Sequence, residues 1–102
     1  MSDERRNAER VPFPLEARWE GQSGRHTARI SDISLGGCYI ESLGQVTVGE
    51  SVSFEVQLPT GRWMRLRGTV AYQHSNMAFG VQFNDLSELE LNLLSDVIEF
   101  GR

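Results

Sequence analysis

The chain has 102 residues, the length of one small domain, and a formal net charge of −4, which argues against a general nucleic-acid binder. With ten Gly, three Pro and one Cys, the composition excludes a collagen, a low-complexity chain and a disulfide-stabilised scaffold. The polar N-terminus and the lack of a long apolar run predict neither a secretory signal nor a membrane helix, and the single Cys suits a cytoplasmic location.

The chain begins with a polar segment, residues 1–11, which we expect to be a flexible Arg-rich arm, and residues 12–102 are predicted to form the folded domain. Pro12 and Pro14 then favour extended backbone. In the following segments apolar and polar residues alternate, which is the pattern of half-buried β-strands. The predicted strands cover about residues 15–20, 25–33, 38–42, 52–58, 64–72 and 79–83. Gly68, inside the fifth of these strands, suggests a bulge or a bend.

The periodicity changes after residue 86. Ser87 and Glu90 have the spacing of a capping box, which marks the start of a helix. Leu89, Leu93 and Val97 recur at helical spacing, so we predict a helix over about residues 87–100 that lays one apolar stripe on the sheet. Five or six short strands followed by one helix predict a mainly β fold, a small antiparallel barrel with the C-terminal helix over one end.

Side chains suited to catalysis or metal binding do not form a recognisable set. His26 and His74 are far apart in the sequence, and with Cys38 as the single cysteine they lack the spacing of metal ligands. Ser34 is outside a nucleophile elbow, because that motif needs a Gly two residues earlier, where Asp32 stands. We therefore expect no enzyme, no metal and no cofactor, with both histidines on the surface and Cys38 in the core.

Arginines near the N-terminus suit a small anionic ligand. All ten basic residues are Arg, whose planar guanidinium binds a phosphate or the edge of a guanine through two hydrogen bonds. Arg5, Arg6 and Arg10 would place three of them on one short segment. Taken alone, the segment is better explained as a solvated tail that binds nothing.

A second group, Asp32-Ile33-Ser34-Leu35-Gly36-Gly37, follows a predicted strand. The Asp32 carboxylate offers two acceptors that match the N1–H and N2–H₂ donors of guanine, and the Ser34 hydroxyl can donate to a phosphate oxygen. Gly36 and Gly37 permit tight turning and the close approach of a ligand. Taken alone, this group is also typical of a turn between two strands.

Together the two groups resemble the signature of the PilZ domain family, bacterial receptors for the second messenger cyclic di-GMP. The signature is Arg-x-x-x-Arg followed roughly 20–30 residues later by Asp/Asn-x-Ser-x-x-Gly. Arg6-x-x-x-Arg10 and Asp32-x-Ser34-x-x-Gly37 match every fixed position, and Gly80-Val81-Gln82-Phe83 is similar to the final strand of the family. The resemblance covers nearly the whole chain. It implies a stand-alone six-stranded antiparallel barrel with one C-terminal α-helix.

The resemblance also implies a ligand, cyclic di-GMP, and a set of binding residues. These are Arg5, Arg6, Arg10, Asp32, Ser34, Gly36, Gly37 and Tyr72. In related domains an Arg at the place of Arg5 accompanies an intercalated ligand dimer, so we expect two ligands per chain. In some relatives an aromatic residue near Tyr72 stacks on a guanine. Alternation with Leu66 and Val70 instead places Tyr72 inside the barrel, and the sequence leaves both possibilities open.

We expect the ligand to neutralise the arginines and to order the arm across the barrel, which would create a surface for an unidentified downstream protein. Two alternatives remain. Some PilZ-like proteins are adaptors that bind partners without the messenger. In addition, Trp63, Arg65 and Arg67 share one strand face, as in a stacking platform for single-stranded nucleic acid.

Overall fold

Six β-strands and one helix form the part of the chain that the computed structural model describes, residues 14–101. The predicted arm, with Arg5, Arg6 and Arg10, lies outside these residues. The strands are β1 (Leu15–Gly21), β2 (Gly24–Ile33), β3 (Gly37–Glu41), β4 (Ser51–Gln57), β5 (Trp63–Ser75) and β6 (Ala78–Phe83). The helix α1 spans Glu88–Phe100. The predicted strands are thus present, and β5 extends beyond its predicted end.

The strands close into one antiparallel barrel in the order β1-β2-β3-β6-β5-β4. β4 also pairs with β1, so that no edge strand remains in the barrel. This confirms the predicted six-stranded antiparallel barrel with one C-terminal helix.

Alternation of side chains places the core inside the barrel. In β1, Leu15, Ala17 and Trp19 are buried while the residues between them are exposed, and β4 follows the same rule. Cys38 is fully buried, as predicted. His26, predicted on the surface, is only partly exposed, because its ring stacks on Trp19 with centroids 4.5 Å apart.

The helix begins at the predicted capping box. The Ser87 hydroxyl accepts from the Glu90 amide at 3.1 Å, and the Glu90 carboxylate accepts from the Ser87 amide at 2.8 Å. Leu94, Val97 and Ile98 join the core, whereas Leu89 of the predicted stripe is 68% exposed. The helix has 13 residues, and within residues 14–101 no helix is long and apolar enough to span a membrane.

The bulge suggested at Gly68 lies elsewhere. β5 pairs regularly with β6 from Gly68 to Val70, and its register shifts only after Val70. Gly68 is needed for a different reason, because a Cβ there would overlap Val81 and would lie 2.7 Å from the Gln82 carbonyl oxygen. The close approach of β6 therefore explains this glycine.

Candidate functional site

The Asp-x-Ser-x-x-Gly segment forms the end of β2 and the turn into β3. Ser34 is buried, and its amide donates to the Gly37 carbonyl at 2.9 Å. Its hydroxyl accepts from the amides of Gly36 and Gly37, each at 3.2 Å, and donates to the Gly37 carbonyl at 3.3 Å. The hydroxyl is thus used inside its own turn. Ser34 shapes the loop in this structure, and its predicted donation to a phosphate stays a prediction.

The two glycines of the motif have different surroundings. A Cβ at Gly37 would overlap the carbonyl oxygen of Val81 in β6, so only glycine fits between these strands. A Cβ at Gly36 would meet nothing nearer than the Ser34 hydroxyl at 4.0 Å, and Gly36 is exposed. Gly37 therefore serves the packing of β3 on β6, and Gly36 is the glycine with open space beside it.

A bulge in β2 turns Asp32 away from the core. Ile30 pairs with Ile40, and the next pair is Asp32 with Tyr39, so that Ser31 has no residue opposite it. In an unbroken strand Asp32 would share the inward side of Ile30, which is fully buried. The extra residue reverses this, and Asp32 lies partly exposed on the outer surface.

A second bulge does the same for Tyr72 in β5. Val70 pairs with Val81, and the next pair is Tyr72 with Gly80, which leaves Ala71 without a partner. Tyr72 is 45% exposed, so its position inside the barrel, suggested by alternation, is wrong. Its ring lies against Gly80, where a Cβ would overlap the ring carbons.

The two bulges bring Asp32 and Tyr72 onto one row across four strands. The row runs from Asp32 in β2 through Tyr39 in β3 and Gly80 in β6 to Tyr72 in β5. Its side chains line an open pocket of about 600 Å³, whose remaining walls are Gln73 and His74. A carboxylate and aromatic rings in one concavity suit a planar base that carries hydrogen-bond donors.

Tyr39 and His74 are pocket residues that the sequence reasoning missed. The Tyr39 hydroxyl is hydrogen-bonded to His74 Nδ1, and the Tyr39 ring centroid lies 6.4 Å from that of Tyr72. His74 is exposed, as predicted, but it belongs to this cluster. Tyr39 lies two residues after the motif, between the inward-facing Cys38 and Ile40. Strand alternation therefore indicates that its side chain faces outward beside the motif, and this was the signal that could have identified it.

The surroundings of Tyr39 raise the pKa of its phenol. Partial burial and the neighbouring Tyr72 raise the pKa of Tyr39 above its usual value of 10.0, and the carboxylates of Glu41 and Asp32 act in the same direction. At neutral pH the hydroxyl keeps its proton, as an ordinary tyrosine does, and can donate a hydrogen bond.

The candidate stacking platform on β5 is occupied by protein side chains. The Arg18 guanidinium carbon lies 3.9 Å from the centroid of the Trp63 ring. Glu55 pairs with Arg18 at 2.9 Å and with Arg65 at 3.5 Å. Because Arg18 covers one face of Trp63 and Arg65 pairs with Glu55, the surface is poorly suited to stacking nucleic-acid bases.

Several sequence-predicted residues cannot be placed in the pocket. Arg5, Arg6 and Arg10 lie outside the described residues. Of the second signature segment only Asp32 lines the pocket, whereas the other signature residues, Ser34, Gly36 and Gly37, lie in the turn that follows it. Within residues 14–101 no three His, Cys, Asp or Glu side chains form a group that could hold a metal ion.

Comparisons with known proteins bear on both the sequence and the fold. The sequence model of the PilZ domain family matches residues 4–100, a range that includes both signature segments. Curated protein sequences gave no significant match.

Solved structures share the barrel. The inhibitor of motility MotI/DgrA of Bacillus subtilis has a TM-score of 0.77 and 18% sequence identity, covering 94% of this chain and 51% of that chain. This chain therefore spans about half the length of MotI. The PilZ domain of Escherichia coli YcgR with cyclic di-GMP has a TM-score of 0.74 and 16% identity, covering 95% of this chain and 91% of that chain. The PilZ domain of CeSA from a cellulose-synthesizing bacterium has a TM-score of 0.72 and 13% identity, covering 91% of this chain and 97% of that chain. At these identities the likeness shows the shared fold.

Proposed function

Because this chain belongs to the PilZ domain family, we propose that it is a receptor for cyclic di-GMP that signals to a protein partner and catalyses no reaction. The observation that carries the proposal is the outward Asp32, held by a bulge in a pocket with Tyr72 and directly before the signature turn. The YcgR domain, with a similar barrel, has a structure with cyclic di-GMP.

Asp32 is proposed to bind a guanine. Its carboxylate has acceptors only, and the Watson–Crick edge of guanine presents two adjacent donors, N1–H and N2–H₂. Adenine offers an acceptor at N1 and therefore pairs poorly with a carboxylate. This chemistry predicts that cyclic di-GMP binds in preference to cyclic di-AMP.

Tyr72 is proposed to stack on a guanine. The exposed ring and its support by Gly80 favour this role. Stacking of an aromatic side chain on a base contributes about 1–3 kcal/mol.

The N-terminal arginines are proposed to complete the site. Arg6 and Arg10 would bind phosphates and guanine edges through paired hydrogen bonds, and Arg5 would favour a second ligand. Ligand binding would then neutralise these charges and order residues 1–11 against the barrel. The ordered segment would form the surface that an unidentified effector protein recognises.

Calorimetric titration with cyclic di-GMP tests the receptor function. We expect Arg10→Ala to weaken binding about 100-fold or more, because a bidentate guanidinium–phosphate pair makes two charge-assisted hydrogen bonds of about 1.5–3 kcal/mol each. Arg62→Ala is the matched control, since Arg62 is an exposed arginine in the turn between β4 and β5. Failure of the unaltered protein to bind the nucleotide would favour the ligand-independent adaptor instead.

Amide hydrogen exchange tests the signalling step. The arm amides, residues 4–11, are expected to exchange more slowly when cyclic di-GMP is bound. Binding that left their exchange unchanged would eliminate arm ordering but would leave the receptor function intact.

A further inference from the structure

We propose that His74 is a ligand-contacting residue that donates a hydrogen bond from Nε2 to an acceptor atom of the bound nucleotide, and that Tyr39 positions this donor. The inference rests on the proposed receptor function and deepens it. Neither residue belongs to the Arg-x-x-x-Arg or Asp-x-Ser-x-x-Gly signature.

The contact between Tyr39 and His74 crosses a strand. Tyr39 lies on β3 and His74 on β5, and β6 runs between them. On β6 the inward residues Phe79 and Val81 alternate with Ala78 and Gly80, which are small. Small side chains on this outer surface leave room for the tyrosine and the histidine to meet above the strand.

A third register shift places His74 at this point. Gln73 pairs with Phe79 and the next pair is Ser75 with Ala78, so His74 has no residue opposite it. Bulges commonly re-aim a side chain near a functional site. In β5 the first bulge exposes Tyr72, and the second supplies the histidine beside it.

The hydrogen bond between the Tyr39 hydroxyl and His74 Nδ1 can run in either direction, since a phenol hydroxyl both donates and accepts, and in the proposed arrangement the tyrosine donates. Tyr39 is a phenol at neutral pH, as the ordinary pKa of tyrosine already ensures, and the upward shift of its pKa acts in the same direction, so its hydroxyl is available to donate. A hydroxyl that donates to Nδ1 requires a lone pair there, and a neutral imidazole then has its proton on Nε2. In this arrangement His74 presents an N–H donor on its other side.

The pocket consequently offers a donor and an acceptor at opposite ends. Asp32 on β2 and His74 on β5 lie on strands that are three interstrand spacings apart, or about 14 Å across the sheet at about 4.8 Å each. The two side chains would therefore contact different parts of the ligand. Cyclic di-GMP offers acceptors throughout, at its phosphate oxygens and at guanine O6 and N7.

Two variants test the proposal by calorimetry with cyclic di-GMP. His74→Ala is expected to weaken binding roughly 3- to 10-fold, the effect of losing one hydrogen bond. Tyr39→Phe keeps the ring and removes only the hydroxyl, so a smaller loss of affinity is expected. His26→Ala is the histidine control, because His26 stacks on Trp19 outside this pocket.

Nitrogen-15 NMR of histidine-labelled protein identifies the tautomer of His74 and therefore tests the positioning role of Tyr39. In the unaltered protein His74 should be the Nε2–H tautomer, and Tyr39→Phe should shift it toward a mixture of tautomers. A protonated Nδ1 in the neutral imidazole of the unaltered protein would overturn the role of Tyr39. Unchanged affinity in His74→Ala, in a protein that binds the nucleotide, would overturn the contact itself. Failure of the unaltered protein to bind at all would instead reject the proposed function, and the NMR result would still decide the role of Tyr39.

Discussion

Tyr39 and Tyr72 approach each other across Gly80, with ring centroids 6.4 Å apart, although their strands β3 and β5 do not pair. Gly80 pairs with both tyrosines, one on each side. This arrangement creates the aromatic part of the pocket, and it depends on the absence of a side chain at position 80.

We predict that Gly80→Ala weakens cyclic di-GMP binding more than it destabilises the fold. The added methyl group would overlap the Tyr72 ring, which can rotate outward because it is 45% exposed. If stacking is lost, the affinity should fall by the equivalent of about 1–3 kcal/mol. Titration calorimetry and a thermal melt of the same variant measure the two effects. A large drop in melting temperature with unchanged affinity would contradict this assignment.

Asp32→Asn is expected to lower the affinity for cyclic di-GMP about 10- to 100-fold, since hydrogen bonds to a charged group contribute about 1.5–3 kcal/mol. It should also reduce the preference over cyclic di-AMP, because the amide presents a donor as well as an acceptor. Titration with both dinucleotides measures the ratio. Asp96→Asn, on the exposed surface of α1, controls for the loss of one negative charge. A ratio that Asp32→Asn leaves unchanged would show that another residue selects guanine.

The two motif glycines should respond differently to the same substitution. Gly37→Ala places a methyl group against the Val81 carbonyl oxygen, and overpacking of this kind costs about 1–3 kcal/mol of unfolding free energy. Gly36→Ala has open space and is expected to change stability by much less. Denaturant unfolding without ligand compares the pair. Equal destabilisation by the two variants would mean that β3 and β6 are less closely packed than described.

Ligand stoichiometry should depend on Arg5. We expect the unaltered protein to bind two molecules of cyclic di-GMP per chain and Arg5→Ala to bind one. Calorimetry at protein concentrations well above the dissociation constant reports the molar ratio. Saturation at one ligand in the unaltered protein would refute the ligand dimer. A ratio of two in Arg5→Ala would show that residues other than Arg5 bind the second ligand.

Ser34→Ala distinguishes a structural from a ligand-contacting serine. The substitution leaves the amides of Gly36 and Gly37 without their acceptor, so unfolding free energy should fall by about 1–3 kcal/mol even without ligand. A urea titration of the ligand-free protein measures this. Undiminished stability together with weaker nucleotide binding would instead support the donation to a phosphate that the sequence predicts.

Local patterns in the sequence were enough to predict the barrel and its helix. Alternation in β1 and β4, and the capping box of Ser87 with Glu90, act within a few residues of chain, so a single sequence contains them. The family signature is likewise a matter of residue identity and spacing. Leu89 shows the limit, because helical periodicity does not reveal how much of the stripe the barrel covers.

Only the tertiary structure decided which side chains line the pocket. In a regular strand, successive side chains face opposite sides, so the position of a residue in the strand predicts its side. Each bulge adds one residue and thereby moves the later side chains of that strand to the opposite side. Asp32 and Tyr72 lie on the outer surface for this reason. The bulges arise from pairing with distant strands, as does the contact of Tyr39 with His74 over β6, so no local pattern in the chain reveals them.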